Sequence, residues 1–574
     1  MARPAALVPL IGWIRRSDRE SLRADAVAGL TVAAMLVPQA MAYAALAGMP
    51  PVTGLYASTV PLLVYAVLGT SAQLAFGPVA IVALLTASTV APLAGSDPAA
   101  YAGLAALLAL EVGALQLLLG VVRAGALVDL LSHPVTAGFT AGAALVIGVS
   151  QLDELLGVSV ASAGSFVDQT VAIARALPDA HWPTMLLGLV AVVALAVAKR
   201  LRSRLPVPLL VVIAAGVAVA VFDLAGAGVD VLGTVPAGLP VPSLRAIDSG
   251  MALSLLPGAV TIALLGYMEG ISVARALAVR TRQPIDATQE LIASGGANLA
   301  AGLFQGFPVA GGFSRTAVNY DAGARSPIAS LVTAGIVALA VGVVAPLFEQ
   351  LPTVALAAVV IVAVAGLIDV ADARRTWRID RRDGAIWLFT ALTTIVVGVE
   401  QGIAAGVAAS LVVFVLRTGR PHIAELGRVR GADIYRTRER YDTVLDPALV
   451  IVRVDGPLFF ASSRHIETVV EDMLARRPDA RALVMDMSAI GDVDATGAHA
   501  LSVLDRALAG AGVDLHLTTV RGPVHDALGR AGQAAALSGR IHPDIAAALA
   551  ALDVTGPLAN PRAGEPATAL ERLR

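Results

Sequence analysis

Between Phe307 and Pro327 lies the stretch whose residue types point most directly to chemistry. Pro308, Gly311 and Gly312 interrupt an apolar region, and the run that resumes is helix-compatible, with Ser314 and Arg315 in its first turn. A helix that begins inside an apolar layer aims unpaired N–H groups and its positive dipole end into the protein. Adding a guanidinium makes this an anion site, suited to a tetrahedral or planar oxyanion that a fork of donors can grip. Arg315 could instead cap carbonyls or pair with Asp321, but ionisable residues at such depth are costly and mark function.

Other polar residues lie inside apolar runs. Gln39 and Tyr43 fall in Met35-Leu-Val-Pro-Gln-Ala-Met-Ala-Tyr43, where an amide donor and a partly apolar wall serve either an anion or interhelical packing. Glu269 falls in Leu264-Leu-Gly-Tyr-Met-Glu-Gly270. Its alternatives are a proton-carrying carboxyl beside the anion, or a fixed ion pair with Arg315 or Arg275. Glu111, mid-run in Leu108-Ala-Leu-Glu-Val-Gly-Ala-Leu115, has no partner nearby in sequence and reads equally as functional or as a packed, neutral acid.

The elements that must hold these residues are membrane spans. Of 574 residues 57% are hydrophobic and 15% charged, with 54 glycines, far too apolar for a soluble domain. Apolar runs near 26–47, 51–69, 77–94, 99–122, 134–151, 183–198, 206–223, 252–275, 288–305, 312–324, 327–348, 353–369, 385–399 and 402–417 predict about fourteen segments. Basic residues gather in alternate loops: Arg123, Lys199 to Arg204, Arg280 and Arg282, Arg374 to Arg382, and Arg417 with Arg420. The positive-inside rule places those loops, and both termini, in the cytoplasm. The opposite loops carry Asp153, Glu154, Asp168, Asp179, Asp223, Asp230, Asp248, Glu349 and Glu400.

Seven spans per half would make the halves inverted copies. In that register Gln39 superposes on Glu269, and Phe76-Gly-Pro-Val79 corresponds to Phe313-Ser-Arg-Thr316, with Pro78 at a first helical position. Two half-helices then aim their N-termini at one point.

Residues 1–24 read as an arm with interfacial character, 25–418 as the membrane domain, 419–442 as a charged linker, 443–555 as a small α/β domain and 556–574 as a disordered tail. The α/β reading rests on strand-like 449–454 and 481–486 alternating with helix-like 463–475, 496–510 and 523–533. Without cysteine there are no thiolate metal sites, and His465, His499, His516 and His525 lack ligand spacing, so neither metal nor cofactor is called for. A net charge of -2 without basic runs argues against nucleic acid. No HExxH, nucleotide-binding glycine loop, GxxxxGK[ST] or ordered triad occurs, so neither catalysis nor ATP drive is expected.

Val37-Pro-Gln-Ala-Met-Ala-Tyr43, Phe76-Gly-Pro78, Leu264 to Gly270, Gly312-Phe-Ser-Arg-Thr-Ala-Val-Asn-Tyr320 and Asp494-Ala-Thr-Gly497 resemble, in order, the SulP sulfate-permease and anion-transporter family. The resemblance implies an α-helical polytopic protein with a seven-plus-seven inverted repeat of core and gate domains, a cytoplasmic STAS domain, and usually a homodimer in the inner membrane. It implies a substrate site lined by Gln39, Tyr43, Phe76, Gly77, Pro78, Val79, Phe313, Ser314, Arg315 and Thr316, with Glu269 as coupling residue. It makes Thr496 a possible phosphosite, although Ala495 departs from the usual hydroxyl residue, and capping by Asp494 or Thr496 explains the same turn. The expected activity is elevator-like sulfate import by proton symport. Alternatives within the fold are sodium- or proton-coupled bicarbonate or C4-dicarboxylate transport, an anion exchanger, or a channel.

Overall fold

A computed structural model describes residues 8–95, 97–125, 132–160, 166–201, 206–233, 238–243, 249–344, 348–430, 432 and 434–553. The chain divides into two units, Met1–Ala409 and Ser410–Arg574. The expected tail 556–574, residues 1–7 of the arm, and Arg202 and Arg204 lie outside the described residues.

The first unit runs α1 (Pro9–Arg16), α2 (Arg19–Leu46), α3 (Pro51–Tyr56), α4 (Val60–Leu68), β1 (Phe76–Gly77), α5 (Ala80–Ala94), α6 (Pro98–Val121), α7 (His133–Ser150), α8 (Leu152–Leu156), α9 (Phe166–Ala176), α10 (Trp182–Arg200) and α11 (Val207–Val221). It continues α12 (Ser249–Thr281), α13 (Ala287–Leu303), β2 (Ala310–Gly311), α14 (Phe313–Asp321), α15 (Ile328–Leu339), α16 (Thr353–Ala365), α17 (Val370–Ile379), α18 (Arg381–Val396) and α19 (Val399–Thr418). Among the described residues eight helical stretches are long and apolar enough to cross a bilayer and three shorter apolar ones accompany them. With α13, α14 and α18 they make fourteen segments, seven on each side of the 222–248 connection.

The segments pack as two groups. In one, α13 lies against α6 and α4, α15 against α2, and α12 against α6. In the other, α18 lies against α7, and α10 against α16 and α11. Their seam is formed by α2 facing α11 and α16, and α5 facing α7. In each half the first four segments join the first group and the last three the second, as an inverted repeat requires.

Extended backbone inside a membrane survives only when its polar groups are paired. The two broken segments pair with each other: β1 and β2 are antiparallel, Phe76 opposite Gly311 and Gly77 opposite Ala310. Buried side chains finish the job. Asn298 accepts from the Val309 N–H at 2.8 Å and donates to the Val309 carbonyl at 3.0 Å and to Gln116 Oε1 at 3.0 Å. Gln116 in turn donates to the Ala263 carbonyl at 3.0 Å. Glu290 accepts from Tyr65 O–H, Thr70 N–H and Thr70 Oγ1, each at 2.6 Å, and from Ser71 N–H at 3.1 Å, which holds the approach to β1. Asn298–Gln116, Gln116–Ala263 and the Glu290 bonds join the two halves around the crossover.

One expected register is corrected. Helix α5 begins at Ala80, not at Pro78, and Val79 is an extended N-cap (φ -134°, ψ 149°). The corresponding helix starts are therefore Ala80 and Phe313, a few residues from the register that aligned Phe76 with Phe313. The cause is non-local: β1 pairs with β2 at residues 76 and 77, and the helix starts only after that pairing ends.

In the second unit β3 (His422–Val429), β4 (Tyr435–Thr437), β5 (Thr443–Val444), β6 (Leu449–Asp455), β7 (Ala482–Asp486), β8 (Asp514–Thr518) and β9 (Ile541–His542) form one sheet, ordered β4-β3-β6-β7-β8-β9 with β5 on β3. Strands β6 to β9 are parallel, and β3 runs antiparallel to β6. Helices α20 (Ser463–Ala475), α21 (Ala495–Gly510) and α22 (Gly522–Arg530) bring Ile466, Val470, Leu501, Leu504, Val524 and Leu528 onto the main core. After α23 (Gln533–Ala536), α24 (Ile545–Ala551) covers a smaller cluster around Ile451 and Val484. The expected linker 419–442 is corrected, since it carries β3 and β4. Ala424 and Leu426 of β3 are buried on either side of the partly exposed Glu425, and β4 beyond it is the charged edge of the sheet.

Candidate functional site

Helix α14 starts where Gly312 leaves β2, and α5 starts where Val79 leaves β1. Neither has a side-chain cap, so first-turn N–H groups of both are open to a ligand. Thr316 pins α14 to the other half: its Oγ1 donates to the Gly312 carbonyl at 2.6 Å and accepts from Ala75 N–H at 3.0 Å. Asn319 adds a bond to the Gln73 carbonyl at 2.9 Å.

Both helix starts open on one cavity of about 600 Å³. Gln39, Tyr43, Val79, Glu269, Phe313, Ser314 and Arg315 line it, drawn from α2, the β1–α5 turn, α12 and α14. Helix α12 can approach because Gly270 meets Gly311: a Cβ on Gly311 would stand 2.8 Å from the Gly270 Cα. That contact brings Glu269 into the lining of the cavity that Gln39 also lines.

Arg315 is 2% exposed. Its Nη1 donates to the Pro78 carbonyl at 2.6 Å, which fixes the guanidinium across the crossover. Its Nε and Nη2 are buried without a hydrogen-bond partner, and so is Oε1 of Gln39. Buried polar groups are nearly always paired, and an unpaired guanidinium edge on a cavity is poised for an anionic guest. Two uncapped helix starts add positive potential at the same place.

Four expected lining residues hold other places. Phe76 is 1% exposed and stacks on Tyr65 at 4.6 Å, so it is packing rather than lining. Gly77 lies behind the guanidinium, with room of 3.6 Å between a Cβ and Nη2. Pro78 contributes its carbonyl and Thr316 its pin, neither facing the cavity. Both oxygens of Glu111 are buried without a hydrogen-bond partner, away from the cavity lining.

Lys199 was not foreseen as a site residue. From the last turn of α10 its ammonium crosses to α16, donating to the Val362 carbonyl at 3.4 Å, and it lines the same cavity. In sequence it is one of several loop cations, and only the packing of α10 on α16 singles it out. Met35, Ala80, Val359, Ala363 and Leu367 complete much of the apolar wall.

In the second unit Asp494 caps α21 by accepting from Gly497 N–H at 2.7 Å, and it also accepts from Phe460 N–H at 3.1 Å. Thr496 is exposed in the first turn. His516 and His542 face each other at 2.9 Å. Burial, then the neighbouring His542, hold the His516 imidazole below the ordinary histidine range.

The sequence pattern described as the sulfate permease family matches residues 22–390, and that of the STAS domain matches 438–548. The chain is 35% identical over 554 residues to an Arabidopsis thaliana protein named sulfate transporter 4.1, chloroplastic, covering 91% of this chain and 80% of that one. It is 37% identical over 526 residues to a probable sulfate transporter of Mycobacterium tuberculosis (strain ATCC 25618 / H37Rv), covering 91% and 94%. The structure is similar to murine Slc26a9, described as an anion transporter in the inward-facing state, with TM-score 0.89, 26% identity and coverage of 95% and 94%. The transmembrane domain of the cyanobacterial bicarbonate transporter BicA shares the fold at TM-score 0.59 and 21% identity, covering 69% of this chain and 98% of that one.

Proposed function

We propose, because the chain belongs to the sulfate permease family, that this multi-pass membrane anion transporter imports sulfate by secondary active transport, with a proton as the coupling ion. The observation that carries the reading is Arg315, whose buried guanidinium has two unpaired nitrogens at the meeting point of two uncapped helix starts. Arg315 grips two oxygens of the tetrahedral anion, Ser314 and the N–H groups after Val79 and Gly312 take others, and Gln39 donates from its amide. Tyr43, Val79 and Phe313 form the apolar part of the wall. Glu269 carries the coupling proton.

The group containing α2, α5, α12 and α14 is the core that carries the anion, and the group containing α7, α10, α11 and α16 is the gate. Motion of the core along the seam exposes the cavity to each side in turn, an elevator-like cycle. The working assembly is a homodimer in the inner membrane with both termini cytoplasmic. The transport domain spans 25–418 and the STAS domain covers 443–555 together with the strands before it. Thr496 is its regulatory hydroxyl.

Purified protein in sealed vesicles tests the whole reading. With an acidic exterior, labelled sulfate accumulates above the outside concentration, and excess bicarbonate or C4-dicarboxylate leaves most of the uptake intact. Uptake that only equilibrates denotes a channel, and uptake indifferent to pH denotes a different coupling ion.

Lys199 gives a separate expectation. Because it is borne by the gate, its charge meets the anion only while the core faces it. Lys199→Gln raises the half-saturating sulfate concentration several-fold at low ionic strength, and the difference shrinks in 0.5 M inert salt, about a Debye length of 4 Å. An equal deficit at both salt concentrations denotes a packing role.

A further inference from the structure

A second cationic centre lies away from the cavity, on α17 and the first turn of α18. Arg374, Arg375, Arg378, Arg381 and Arg382 are all exposed, and among the described residues none of them is in an ion pair. Four acids, Asp369, Asp372, Asp380 and Asp383, are interleaved with them, and three of these hold local contacts. Asp369 accepts from Asp372 N–H at 2.9 Å, Asp372 pairs with His133 at 2.8 Å, and Asp380 accepts from Arg382 N–H at 2.8 Å. Arg381 and Arg382 also stand at the N-terminus of α18, where their charge has the same sign as the helix dipole. Asp380 caps that helix and Asp383 lies in its first turn, so over 369–383 five arginines stand against four acids and the segment keeps a net positive charge.

The apolar side chains identify the anion. At about 100° per residue, Val370 and Trp377 lie about 20° apart around α17, with Arg374 and Arg378 on the adjoining arc and buried Thr376 on the opposite flank. Val370 is 55% exposed and Trp377 45%, while Ile379 lies about 160° around the helix from Trp377. A soluble anion would neutralise the arginines and leave those groups in water. A phospholipid satisfies both, with its phosphate on the arginines and its acyl chains on the tryptophan strip. Four residues separate its start from the end of the apolar α16.

We propose that α17 and the start of α18 form a binding site for the phosphate head groups of anionic phospholipids, with Trp377 and Val370 seated among the acyl chains.

The test uses the full-length protein in mixed micelles, titrated with dioleoylphosphatidylglycerol or dioleoylphosphatidylcholine, with retained lipids counted by native mass spectrometry. Wild type retains the glycerol lipid in preference. The variant R374Q/R375Q/R378Q loses that preference by about tenfold or more. Equal preference in the two proteins overturns the site. So does displacement of the lipid from wild type by millimolar inorganic phosphate, which would mark a soluble-anion site. A second arm keeps every arginine: a brominated phosphatidylglycerol quenches the fluorescence component lost in W377F. If that component is not quenched, Trp377 is not among the acyl chains, and the proposal fails even where the arginine variant folds poorly.

Discussion

Arg315→Gln abolishes sulfate uptake into vesicles, to at least a hundredfold below wild type, while leaving the protein folded. Glutamine keeps one donor but loses the charge and the fork. Removing one partner of a buried ionic contact typically costs about 3–5 kcal/mol, and each 1.4 kcal/mol is about tenfold in binding, so a loss of roughly two to three powers of ten follows. The sign of the stability change separates this role from a structural one. Arg315 is 2% exposed and two of its guanidinium nitrogens have no hydrogen-bond partner in the protein, which is a standing penalty that a bound anion would relieve. Anion-free Arg315→Gln should therefore unfold at the same temperature as wild type or higher, while the stabilisation that sulfate confers on wild type disappears. Arg315→Lys restores the charge without the fork and recovers part of the uptake. If Arg315→Gln moves sulfate within threefold of wild type, the site is elsewhere.

The reasons for legibility differ from residue to residue. The start of α14 could be read because its determinants are local: Pro308, Gly311 and Gly312 break the preceding run, and Ser314 and Arg315 follow at helical positions. The start of α5 was misplaced because Pro78 carries a local signal for a first helical position, while the decisive pairing of β1 with β2 joins residues more than two hundred positions apart. Phe76 has the same history, since it lies in β1 and its stacking partner Tyr65 in helix α4, a contact that spacing does not reveal. Lys199 is indistinguishable in sequence from the loop cations around it. Gln39 and Glu269 could be matched because an inverted repeat lends each half a template for the other. The second unit shows the converse: buried parallel strands such as β7 announce themselves as apolar runs, and the half-exposed β3 and β4 pass for a linker.

Glu269→Gln separates anion binding from its energy source. A neutral amide has nearly the shape of a protonated carboxyl and cannot release a proton, so the variant is held permanently in the form that accompanies sulfate. With sulfate at charge -2 and Arg315 at +1, a protonated Glu269 leaves the loaded site at -1, and an ionised one leaves it at -2. Each uncompensated charge taken from water into the protein interior costs several kcal/mol, so the core crosses loaded far more readily with the proton aboard. Returning empty, wild type can discharge that proton inside, and the glutamine variant cannot. Glu269→Gln should therefore still exchange labelled for unlabelled sulfate across the membrane, yet lose accumulation driven by an acidic exterior. Glu111→Gln is the control, because Glu111 is a buried acid that does not line the cavity, and it should keep gradient-driven accumulation. Accumulation that survives in Glu269→Gln, or is lost in Glu111→Gln alone, moves the proton to the other acid and leaves Glu269 as part of the wall.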